Sequence, residues 1–185
     1  MVFQETHSMN DFTYQEYLPG GVSFYLLFYF TKEKNCYVLS QKNLAQQPDG
    51  KSIIAASISD LYKHEEIVAP YKKMFNDLNF RGLVMVEIRF WNNQYYMFEA
   101  NPRFWGPSQL FCDTNFNFFE FLLQDYGIMA PKPTLEPDKK AVYYWSGGML
   151  SDNADEKACV WHDNGLEEFN NNKSKYIDAD IYKRN

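Results

Sequence analysis

Short runs of alternating apolar and polar residues recur along most of the chain, and two periods, 2 and 3.6, divide it into strands and helices. Residues 12–18 and 22–30 carry the strand pattern, 31–35 supply a turn, and 36–40 read as a third strand, so the chain is expected to open antiparallel. Residues 41–52, QKNLAQQPDGKS, read as a loop with Asp49-Gly50 as its turn signal, and 53–58 as a further strand. Over 65–80 the apolar positions Ile67, Tyr71, Met74, Phe75 and Leu78 form one helical stripe. That helix must take Pro70 in its first turn or at its start, where a missing N–H costs least. A second helix over 115–126 carries Phe118, Phe121, Leu122 and Tyr126 along one side, and Gly127 ends it. Pro131, Pro133 and Pro137 then mark a linker, 141–145 read as a strand, Gly147-Gly148 as a turn, and the remainder is polar.

The most informative stretch lies between the two helices, GLVMVEIRFWNNQYYMFEANPRFWGP over residues 82–107. Its two strand-like runs predict a hairpin. Side chains alternate faces along a strand, so Glu99 and Asn101 share a face, and Glu87 joins them only if it lies opposite Glu99. That register sets Trp91 opposite Tyr95 and leaves Asn92, Asn93 and Gln94 as a three-residue loop. One face then carries Glu87, Arg89, Glu99 and Asn101. The other carries Val84, Val86, Ile88, Phe90, Tyr96, Phe98 and Ala100. Two carboxylates and an amide oxygen on neighbouring strands are a hard-oxygen ligand set, suited to Mg²⁺ (or Mn²⁺) shared with nucleotide phosphates. Arg103 just beyond offers a planar, permanently charged fork for phosphoryl oxygens. Read blandly, the same residues are solvated strand positions and a strand-ending Asn-Pro turn.

Gly82-x-x-x-x-Glu87 followed by Phe98-Glu99-Ala100-Asn101-Pro102-Arg103-Phe104-Trp105-Gly106 resembles the signature of the ATP-grasp superfamily, in its branch similar to carbamoyl phosphate synthetase. The resemblance implies an α+β fold, a largely antiparallel sheet with flanking helices, corresponding to the C-terminal subdomain of those enzymes. It implies that Glu87, Glu99 and Asn101 coordinate the Mg²⁺ that bridges ATP phosphates and that Arg103 contacts the transferred phosphoryl group. Phe12-Thr13-Tyr14-Gln15-Glu16-Tyr17-Leu18-Pro19-Gly20-Gly21 resembles the family's adenine-side segment, which implicates Glu16 and the backbone of Tyr17 and Leu18. Where the family often has a ribose-binding carboxylate this chain has Ser23, whose hydroxyl could hydrogen-bond a ribose hydroxyl. The 41–52 loop lies where the family approaches its substrate, so Lys42 or Lys51 could face an anion there, although solvated loop lysines are the commoner outcome.

Composition narrows the rest. The chain has 185 residues, 18% aromatic, a net charge of −6 and no basic cluster longer than a Lys-Lys pair, which excludes the electrostatic footprint of a nucleic-acid binder. Cys36, Cys112 and Cys159 are odd in number and widely spaced, which fits reduced thiols rather than disulfides or zinc. The longest apolar run, 22–30, is too short for a membrane span, and the N-terminus lacks a signal peptide pattern, so a cytoplasmic location is expected. His7, His64 and His162 stand isolated in sequence and read as surface histidines. Nothing near Cys112 would activate it, and Trp105 is either a substrate wall or an aromatic packed under a loop.

The function expected is an ATP- and Mg²⁺-dependent ligase lobe that activates a small-molecule carboxylate through an acyl phosphate for attack by an amine-type nucleophile. Residues 1–127 would form the partial lobe and 128–185 a C-terminal extension, cut short. The family's N-terminal domain and its lid, with a Gly-rich loop and nucleotide-contacting lysines, have no counterpart in this sequence. The chain is therefore expected to be a fragment or one half of a split enzyme, inactive alone and completed in cis or in trans. Rival readings are a non-catalytic module that kept the lobe for association, and an unrelated aromatic-rich α+β ligand-binding domain.

Overall fold

The computed structural model describes residues 13–128, 137, 141–149 and 159–172. Phe12, His7, the prolines at 131 and 133 and most of the polar stretch after 149 lie outside them. A seven-stranded sheet organises the fold, in the order β5-β4-β1-β2-β3-β6, with β7 paired to β2. The strands are β1 (Val22–Phe30), β2 (Cys36–Gln46), β3 (Ile53–Ile58), β4 (Gly82–Trp91), β5 (Gln94–Asn101), β6 (Val142–Tyr144) and β7 (Val160–Trp161). Every pairing is antiparallel. Four helices accompany them: α1 (Glu65–Asp77), α2 (Gln109–Asp113), α3 (Phe118–Asp125) and α4 (Gly165–Asn171). This is the expected α+β class, and no helix among the described residues is long and apolar enough to cross a membrane.

The central strands β1 and β4 are apolar on both faces because both faces are covered. Leu26, Phe28, Phe30, Val84, Val86 and Ile88 pack with Val68 and Phe75 of α1. On the opposite face Leu27, Tyr29, Leu83 and Met85 pack with Leu110 and Phe111 of α2 and Phe118 and Phe121 of α3. Each such side chain, fully buried, stabilises by about 1.5–3 kcal/mol before entropy is counted. The helix ends are specified locally. Asn117 caps α3 by accepting from the Phe119 N–H at 3.0 Å. At its other end Gly127 takes φ 72° while Ile128 N–H reaches Leu123 O, a Schellman closure as expected. Asn79, at φ 52°, closes α1 in the same way, with Phe80 N–H on Phe75 O.

Several elements depart from the sequence expectation. Residues 13–18 form no strand. They pass beside β5 without joining the ladder, and the turn at Gly20 and Gly21, both at positive φ, leads them into β1. Gly21 is required there, since a Cβ would lie 2.6 Å from Phe90 O. β2 runs on to Gln46, so Lys42 is a strand residue and not part of a loop. Pro70 lies in the second turn of α1 instead of the first. It is exposed, and so is Glu66, whose carbonyl it leaves unbonded, so water can satisfy that group. α3 begins at Phe118, three residues later than expected, because Asn115 adopts φ 60°.

The hairpin also differs in its route. Asn92 and Asn93 alone make the turn, at φ 46° and 60°, the pair of left-handed residues a type I′ turn needs. Trp91 therefore faces Gln94, and Phe90 faces Tyr95. A bulge between Glu87 and Ile88 then absorbs one residue of β5 and restores Glu87 opposite Glu99. Between turn and bulge the parity is inverted. Tyr95 joins Phe90 on the α1 side, while Phe98 turns to Arg89, whose guanidinium lies 4.4 Å from its ring centre.

Candidate functional site

Four strands bring one row of side chains together: Glu99 of β5, Glu87 of β4, Tyr25 of β1 and Gln41 of β2 are successive cross-strand partners. Cross-strand neighbours lie close enough for their charges and hydrogen bonds to interact. Burial, then the adjacent Glu99 charge, raises the Glu87 carboxyl above the usual carboxylate range, opposed by Arg89 and a hydrogen bond from Tyr25. Burial and the Glu87 charge likewise push the Tyr25 hydroxyl above the usual tyrosine value. Asn101 follows on the same face as Glu99 and donates its amide N–H to Glu99 Oε1, which leaves its own oxygen available. Below the row a buried polar line continues. Trp105 Nε1 donates to Gln41 Oε1 at 3.2 Å, and Gln41 Nε2 donates to Asn43 Oδ1 at 2.9 Å. The Asn43 side chain is fully buried beside Tyr25, whose hydroxyl it stabilises by a hydrogen bond.

Tyr25, Glu87, Glu99 and Trp105 of this set line a cleft of about 950 Å³, and Gln41, Asn43 and Asn101 lie outside its lining. Of the four residues expected together, Glu87, Glu99 and Arg103 line it and Asn101 does not, while Lys51 joins from the turn before β3. Trp105 lines the cleft too, although its ring is 7% exposed and packs on Phe111 at 5.2 Å, so it is both wall and core. The cleft also takes in Tyr25, Gln109, Asp113, Tyr143 and Trp145, which the sequence did not single out. Tyr25 comes to Glu87 only through pairing of β1 with β4, strands far apart in the chain, so alternation within either strand gives no signal for it.

The adenine-side segment meets β5 in a smaller cleft of about 220 Å³, lined by Gln15, Glu16, Leu18, Tyr96, Met97 and Phe98. Tyr17 is exposed and lines neither cleft. The Leu18 carbonyl is taken by Arg89 Nη1 at 3.1 Å. Ser23 is 2% exposed, lies opposite Arg89 and lines neither cleft, so its placement withdraws it from ribose contact. Lys42 is committed elsewhere: its ammonium donates to Asn164 Oδ1 at 2.8 Å and lies 3.7 Å from Glu168, which fastens α4 to the sheet. His162 is no surface residue. It is half-buried, burial lowers its pKa, and its Nε2 has no hydrogen-bond partner among the described residues. His64 is exposed and pairs with Glu66. Burial raises the Cys112 thiol, in keeping with an inert cysteine.

No family model and no curated protein sequence matches the chain. Solved structures do. The phosphoribosylaminoimidazole carboxylase ATPase subunit from Aquifex aeolicus matches with a TM-score of 0.52 at 18% identity, over 66% of this chain and 37% of its own. N5-carboxyaminoimidazole synthetase from Staphylococcus aureus, complexed with ADP, matches with a TM-score of 0.53 at 19% identity, over 63% of this chain and 32% of its own. Rhizobium etli pyruvate carboxylase matches with a TM-score of 0.53 at 14% identity, over 68% of this chain and 12% of its own. The chain thus spans about a third of the first two proteins and far less of the third. Likeness at this level establishes the fold alone: the chain shares its fold with part of each of these proteins.

Proposed function

We propose that this chain is the Mg²⁺- and ATP-binding lobe of a ligase that activates a carboxylate as an acyl phosphate for attack by an amine-type nucleophile. One observation carries the reading: Glu87 and Glu99 face each other across β4 and β5 in the floor of a large cleft, with Arg103 on the same cleft. Burial first, and then repulsion between the two carboxylates, raises the Glu87 pKa, and a divalent cation would relieve the repulsion. The donor set fits Mg²⁺, since the two carboxylates and the Asn101 amide supply only oxygen. Bound there, Mg²⁺ would offset phosphate charge and orient the γ phosphoryl for in-line transfer. Glu87, Glu99 and Asn101 hold the ion in this proposal, and the Arg103 fork binds the phosphoryl oxygens bidentately. In this proposal Glu16 and Leu18, which line the smaller cleft, meet the adenine edge, with the Leu18 carbonyl already engaged by Arg89 and Tyr17 outside the cleft. Ser23 has no part in it. The remaining nucleotide contacts and the exclusion of water come from a lid in cis or in trans, so the chain by itself binds nucleotide weakly and does not turn it over.

Calorimetric titration of ADP into the 185-residue protein, with Mg²⁺ and with EDTA, tests the reading. Binding should require Mg²⁺ and fall at least about tenfold in Glu99→Gln, the equivalent of one charged contact. Binding that is the same in EDTA, or the same in Glu99→Gln, would refute it.

A further inference from the structure

Building on that ligase reading, we infer that the carboxylate substrate has a flat aromatic body, its carboxylate met by Lys51 beside the phosphoryl-binding Arg103 and its ring lying against Tyr143 and Trp145. Charge comes first. Lys42, Lys63, Lys72 and Lys73 each meet a carboxylate, whereas Lys51 and Arg103 have no ion-pair partner among the described residues, and both line the cleft. With Arg103 assigned to the phosphoryl group, Lys51 is the cation left beside the metal-binding acidic pair, and it is complementary to an organic anion that must approach phosphate.

The Lys51 side of the cleft is a built structure and not a loose loop. Gln46, 6% exposed, donates its amide to Gly50 O at 3.0 Å and to Lys51 O at 2.8 Å. Its neighbour Gln47 closes the turn through Ser52 O at 2.8 Å and sends its amide across to Gly148 O at 3.1 Å. Gly148 in turn seats the Trp145 ring. A Cβ at Gly148 would come within 2.5 Å of Trp145 Cε3 and 2.3 Å of Ile54 Cδ1, so only glycine lets the ring settle there. Two adjacent glutamines therefore hold the cation and the aromatic wall as one unit. Tyr143, 8% exposed, is equally fixed.

Size agrees. About 950 Å³ lies near the upper end of small-molecule sites, well beyond what a metal and phosphate groups fill. Rigid ring surfaces reward a flat ligand, because stacking adds to burial without new ordering cost.

Ligand-observed NMR on the 185-residue protein, in EDTA and without nucleotide, tests this with benzoate, cyclohexanecarboxylate and acetate as probes. Benzoate should bind more tightly than the other two. Lys51→Ala should weaken it about tenfold and Trp145→Ala by a similar factor, while Trp145→Phe keeps most of the affinity. Lys51 is exposed, so its variant should fold normally, and circular dichroism melts would identify any that does not. Benzoate binding no better than acetate, or unchanged in Lys51→Ala, overturns the inference. The nucleotide titration is separate: Lys51-dependent benzoate binding without Mg²⁺-dependent ADP binding would leave the aromatic carboxylate site standing and remove the ligase reading.

Discussion

The two faces of β4 behave differently along the same ten residues. Val84, Val86 and Ile88 are buried beneath α1, so that face stays covered as far as Ile88. Leu83 and Met85 on the other face are buried beneath α2 and α3, but that cover stops at Glu87, where the cleft opens. The contrast shows how an antiparallel sheet can carry a charged site without losing its core. The helix cover is broken at Glu87 while the opposite face holds the strand in place, so this charge sits where water or ligand can reach it.

The comparison can be broken most forcefully on the covered face. Ile88→Ala should cost about 3 kcal/mol of unfolding free energy, measured in urea, because it opens a cavity against α1. One residue earlier, Glu87→Gln should do the reverse at neutral pH. The Glu87 carboxyl is raised in the folded protein, so folding favours its protonated form, and stability falls as pH rises from the ordinary glutamate range through the folded value. The substitution should therefore raise the melting midpoint at pH 7 and change it little below about pH 4, where both states are protonated. Added Mg²⁺ should narrow the gap. Glu99→Gln, more exposed, should alter stability by less than about 0.5 kcal/mol while Mg²⁺-dependent ADP binding is lost. Smallest of all, Asn93→Gly should stabilise the hairpin turn by roughly 0.5 kcal/mol, since glycine takes positive φ without strain.

How much of this was legible follows from the range of each cause. Opposition of Glu87 and Glu99 was readable because alternation is local and both carboxylates must share a face. The path between them was not, since a two-residue turn plus a bulge gives the same register as a three-residue loop, and a bulge leaves no mark in composition. Pairing beyond sequence neighbours left no trace either. Tyr25 beside Glu87 depends on β1 meeting β4, and β2 reaches Gln46 because β3 and β7 give it partners. Lys51 reads as a solvated loop lysine and is exposed, but the grip of Gln46 on its backbone carbonyl from within the core left no sign in the sequence. His162 reads as a surface residue until its backbone N–H is found on Leu44 O.

That last contact has a consequence for the order of assembly. After Lys42, the edge of β2 passes from β1 to β7: Phe24 pairs with Lys42, and Trp161 pairs with Ala45. Gly165 completes the join by lying so close to Leu44 O that a Cβ would stand 2.4 Å away. A ribosome making this chain would therefore finish β1 through β5 while the Ala45 stretch of β2 still waited for a partner more than a hundred residues downstream. During that interval an open strand edge is exposed to neighbouring chains. Gly165→Val, which blocks closure, should accordingly show itself first as insoluble material during synthesis.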